Sequence, residues 1–149
     1  MLDAFKRLLT GDPPKPHPEL DPQVAAAALL VEAALADGVY ARIEEEQIRA
    51  ILMASFDLDE DEAERIHTEA EDLAEAAVDH YQFTKVVKAC LPKAQRVSLI
   101  EHLWAVALSD GEKSPFEESF IRTVAPLLAV DDRERVFARS RAEAAARKR

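Results

Sequence analysis

A single cysteine, Cys90, leaves this chain unable to close a disulfide within itself. It is therefore not a disulfide-stapled scaffold, and its thiol usage fits a reducing cytoplasm. Glycine occurs three times and aromatics make up only 6% of residues, while the 48% hydrophobic share leans on Ala, Leu and Val. That is the composition of packed helices. Cations are the minority: 19 Lys and Arg against 29 Asp and Glu give a net charge of −10, which repels phosphate backbones and argues against a nucleic-acid partner. No apolar run reaches the ~18 residues that a membrane span needs. The start carries no apolar signal region with a cleavage site. There is no Gly-rich phosphate loop, and no Ser, Cys or His arrangement marks a nucleophile, so the chain is expected not to be an enzyme.

What is present reads as helix after helix. At 149 residues the chain suits one domain with a core of its own. Residues 1–20 stand apart from it. Leu2, Phe5, Leu8 and Leu9 fall at helical spacing, so Met1 to Thr10 is expected to form a short amphipathic helix. Lys6 and Arg7 give it weak capacity for peripheral membrane or partner contact. Gly11 and a proline-rich run to Leu20 then act as a linker.

The domain, residues 21–149, opens at Asp21-Pro22, a cap followed by a first-turn proline. From Val24 to Ala36 it is apolar nearly all round, with one charge at Glu32, which predicts a buried helix. A helix from Arg42 to Ser55 follows, with Ile43, Ile48, Ile51 and Leu52 facing inward. Asp59 with Glu62 caps a third helix through Ala76. A connecting helix spans His80 to Cys90, and a long one after Pro92 carries Leu99, Ile100, Leu103, Trp104 and Val106. Ser114-Pro115-Phe116-Glu117 starts the sixth, which is expected to run to about Leu128 unless Pro126 ends or kinks it early. Asp131 with Glu134 starts the last, ahead of a basic tail. No stretch alternates as a strand would, so the fold reads as all-α, a bundle of about seven helices in two pseudo-symmetric halves.

The halves show in the letters. Slid by 73 positions, Leu30 to Ile51 matches Leu103 to Val124. Leu35-x-Asp37-Gly38 lies on Leu108-x-Asp110-Gly111, Ile43-Glu44-Glu45 on Phe116-Glu117-Glu118, and Ile48-Arg49 on Ile121-Arg122. Each copy ends an apolar helix with Asp-Gly, crosses a short turn, and opens a second helix on acidic residues. This pattern resembles the TerB-like domains of bacteria, named after a tellurite-resistance protein, in which an "ADG…(S/T)xxE" segment appears twice in an all-helical domain. The likeness spans Gln23 to Arg139: Ala36-Asp37-Gly38 with Glu44, then Ser109-Asp110-Gly111 with Ser114 and Glu117. Ala41 departs from it, standing where the second copy has the capping Ser114.

The resemblance implies a divalent-metal site with Asp37, Glu44, Asp110 and Glu117 as ligands. It also implies a cytoplasmic role in metal or tellurite stress or in phage defence. Carboxylate oxygens suit Ca²⁺, Mg²⁺ or Mn²⁺. For one ion to be shared, the two apolar helices must run side by side in the same direction. The alternative is a helical module that docks a protein partner. There Glu44 and Glu117 only serve their own helix N-termini, in contact with solvent, and the aspartates satisfy their turns.

Other patterns fall away. Asp57-x-Asp59-x-Asp61 starts like a calcium loop, but Glu62 stands where glycine is needed and Thr68 where a bidentate Glu is needed. Glu64-x-x-His67 is half of a di-iron motif with no second copy, leaving His67 as a salt-bridged or solvated side chain. Cys90 reads as a small buried apolar residue and Trp104 as core. The acidic run from Asp57 to Glu64 and the basic stretch from Arg133 to Arg149 read as solvated faces.

Overall fold

The protein was analysed as a computed structural model, which describes residues 20–36, 40, 42–77, 79–109 and 115–148. Among them lie seven helices and no strand: α1 (Pro22–Leu35), α2 (Arg42–Phe56), α3 (Glu60–Ala76), α4 (Tyr81–Cys90), α5 (Lys93–Ala107), α6 (Pro115–Leu127) and α7 (Asp132–Arg147). The N-terminal helix expected over residues 1–10 and its linker fall outside the described residues.

α1 is the axis of the bundle. The Asp21 carboxylate accepts from the Gln23 amide at 2.7 Å, and Pro22 fills the first position, where no amide bond is lost. Ten of its fourteen residues are buried, among them six alanines whose small side chains let neighbours approach closely. It packs against α2, α3, α4, α5 and α6. Each fully buried Val or Leu here contributes on the order of 1.5–3 kcal/mol through apolar surface removed from water. Trp104 joins this core at 1% exposure, as its apolar setting predicts.

The packing repeats as the sequence does. α1 lies on α3 as α5 lies on α7; α2 also touches α5, and α6 also touches α1. The third helix of each half starts on a capping box, Asp59 with Glu62 and Asp131 with Glu134. The second helix of each half ends on a left-handed residue, Asp57 with φ 53° and Ala129 with φ 55°. Both ends are closed by the same bond, from the Leu58 amide to the Met53 carbonyl (3.1 Å) and from the Val130 amide to the Ala125 carbonyl (2.9 Å). Pro126 does not stop α6, which continues to Leu127 because the proline sits in its closing turn. At that end Arg96 Nη1 donates to the Leu128 carbonyl (2.6 Å) and Lys93 Nζ to that of Ala129 (2.6 Å). Two cations from α5 thus meet the negative end of α6.

Two expectations are corrected. Ile43 is 50% exposed, because the first turn of α2 turns Glu44 inward instead. Cys90 is exposed: it is the last residue of α4, and Val87, one turn earlier, is the last buried residue of that helix. His67 takes the first of its two expected forms: it is buried, not solvated, with Nε2 at 3.8 Å from Glu71 and 2.6 Å from the Tyr40 hydroxyl.

Candidate metal centre

Of the four residues singled out as ligands, Glu44 and Glu117 lie within the described part, while Asp37 and Asp110 lie outside it. Glu44 is the third residue of α2 and Glu117 the third of α6, so they are equivalent in helix position as well as in the repeat. Both are buried, at 2% and 1% exposure. The expectation of solvent-exposed capping carboxylates therefore does not hold for either. Around each the pattern is the same: two exposed residues, the buried glutamate, then a half-buried one, Glu45 or Glu118. The first turn of a helix is electrostatically suited to negative charge, and both helices fill it with carboxylates.

α1 and α5 pack directly on each other. A cavity of about 130 Å³ lies between Ala26 and Leu30 of α1, Ile51 and Phe56 of α2, and Gln95 and Leu99 of α5. It is lined by early and middle turns of α1 and α5 and by the C-terminal end of α2. In the sequence, the two Asp-Gly pairs follow the C-terminal ends of α1 and α5. Among the described residues, no group of three or more His, Cys, Asp or Glu is placed to hold a metal ion. The donors present there are the two buried glutamates, and their hard oxygens fit the class of ion that the resemblance implies.

Sequence reasoning passed over the charged network beside these turns. The Arg139 guanidinium on α7 sits 4.6 Å from the centre of the Trp104 ring. It reaches Glu143 at 2.7 Å and Glu118, next to Glu117, at 3.2 Å. In the first half the Tyr40 hydroxyl and Glu71 flank His67. Burial holds the His67 ring below the usual imidazole range, against the opposing pull of Glu71. Burial, with Glu71 and Glu45, holds the Tyr40 phenol well above its ordinary value. The available signal was the repeat itself: set 72 positions apart, His67 falls on Arg139 and Glu71 on Glu143.

An all-α bundle of two interlocked halves, each with a buried glutamate in the first turn of its second helix, defines a duplicated helical domain with acidic helix starts. The chain belongs to the TerB family: the family model described as "Tellurite resistance protein TerB" matches residues 23–140. No curated protein and no solved structure matches it.

Proposed function

We propose that the two halves hold one divalent cation between them, with Asp37 and Glu44 from the first and Asp110 and Glu117 from the second as ligands. The domain then acts as a non-catalytic metal-binding or metal-sensing module of bacterial metal or tellurite stress response in the cytoplasm. The burial of Glu44 and Glu117 at equivalent helix positions carries the reading. Taking a carboxylate out of water costs several kcal/mol unless its charge is balanced, and a shared cation balances two at once. Carboxylate oxygens select Ca²⁺, Mg²⁺ or Mn²⁺ over softer ions. When bound, the ion supplies positive charge that ties one half to the other. The family's name is in keeping with a stress role.

Titration calorimetry with Ca²⁺, Mg²⁺, Mn²⁺ and Zn²⁺ tests it on the wild type, Glu44→Gln, Glu117→Gln and Asp110→Ala. Saturable binding of one ion per chain, weakened at least about tenfold (~1.4 kcal/mol) in each variant, is the expected result. Absence of heat with every ion, or equal binding by all four proteins, leaves the partner-docking module as the surviving reading.

A further inference from the structure

The two halves differ in one chemically telling place. In the second, Arg139 joins Glu143 on its own helix to Glu118 in the first turn of α6, and its charge is permanent. In the first, Glu71 stands for Glu143, Glu45 for Glu118, and a histidine for the arginine. His67 is 2% exposed, with Nε2 at 2.6 Å from the Tyr40 hydroxyl and 3.8 Å from Glu71 Oε2. The charges acting on it come from both neighbouring helices: Glu64 and Glu71 on α3, Glu45 and Arg49 on α2. α1, packed on the other side of α3, bears only Glu32, whose charged neighbour is Asp79.

We propose that His67 is a proton-operated counterpart of Arg139, a clasp between α3 and the segment that leads into α2. When neutral, the ring takes the Tyr40 O–H on its bare Nε2. When it gains a proton from solvent, Nε2–H becomes the donor, and the Tyr40 hydroxyl proton turns to the Glu71 carboxylate, which lies within its reach. The imidazolium then stands toward Glu71 and Glu45 as Arg139 stands toward Glu143 and Glu118. Burial favours the neutral ring and moves the change to lower pH. The clasp joins Tyr40, ahead of α2, to α3, whether or not the domain binds a metal. The second half, with its fixed cation, has no such response.

Two-dimensional NMR from pH 8 to pH 5 on the metal-free wild type, His67→Gln and Tyr40→Phe reads the clasp directly. The His67 ring signals should titrate with a midpoint below the usual ~6.5. The Tyr40 ring and the Glu45 amide should move with that same midpoint in the wild type and lose the transition in His67→Gln. In Tyr40→Phe, which keeps the buried volume, the His67 midpoint should shift by at least about 0.5 pH unit, because its hydrogen-bond partner is gone. Tyr40 and Glu45 signals that ignore the His67 midpoint, or a midpoint unmoved in Tyr40→Phe, would overturn the proposal.

Discussion

Glu32 is the one charge on the helix at the centre of the bundle, and replacing it with glutamine should stabilise the protein above neutral pH. Burial, aided by Asp79, pushes its carboxyl up from the ordinary 4.5 to about 7. Below pH 4.5 the group is protonated in both states and contributes nothing. Between 4.5 and about 7 the unfolded chain releases the proton and the folded chain keeps it, so stability falls as pH rises. Above about 7 both states are ionised and the full penalty remains. At 1.36 kcal/mol per pH unit, that interval sets a ceiling of about 3.4 kcal/mol. Because the side chain keeps contact with water, screening reduces this to roughly 1–2 kcal/mol. Glu32→Gln removes the charge and keeps the shape. Urea unfolding followed by circular dichroism at pH 8, 7, 6 and 5 should show the variant more stable than the wild type by that amount at pH 8. The difference should shrink toward zero by pH 5. Comparing the two proteins at each pH cancels the histidines and other carboxylates, which titrate in both. A gap that stays constant across the range, or an absent gap at pH 8, would refute the argument that burial of this charge strains the core.

Two further outcomes follow from the backbone and the surface. Ala129→Gly should stabilise by about 0.5–1 kcal/mol in the same urea assay, because alanine is held at φ 55° where glycine is unstrained; a loss of stability would show that the left-handed site depends on the alanine methyl. Cys90, exposed at the end of α4, should react fully with a thiol reagent in the native protein. A thiol that reacts only after denaturant is added would contradict the exposure.

Much of the frame was legible because it rests on local rules. Asp21-Pro22, Asp59 with Glu62 and Asp131 with Glu134 act within one turn of themselves, and all three start helices where the letters place them. The nearly unbroken apolar run of α1 leaves no face for water, so its burial could be read directly. The misses lie where local pattern meets tertiary choice. Ile43 and Glu44 are adjacent on the first turn of α2, about 100° apart, and only one can point inward. Hydrophobicity favoured the isoleucine, and the fold buries the glutamate. Cys90 falls at helical spacing from Phe83 and Val87, but periodicity does not show where a helix leaves the core. The left-handed ends at Asp57 and Ala129 were hidden because neither is glycine.

The comparison of halves also shows what duplication conserves. Caps, helix ends and the buried third-position glutamates recur, whereas the residues between them have been exchanged in ways that compensate. Where the first half has Val31 on its first helix and Ile66 on its third, the second has Trp104 and Ala138, all four fully buried or nearly so. The bulk has moved from the outer helix to the inner one, the kind of exchange that a packed core tolerates because total volume is kept. Trp104 brings a ring face with it, and Arg139 stacks there. The counterpart in the first half, His67, is buried beside the Tyr40 ring, and unlike arginine it can shed its charge there. The half that buries its cation almost completely carries the one that can be discharged, and the half that leaves Arg139 partly exposed carries the permanent one.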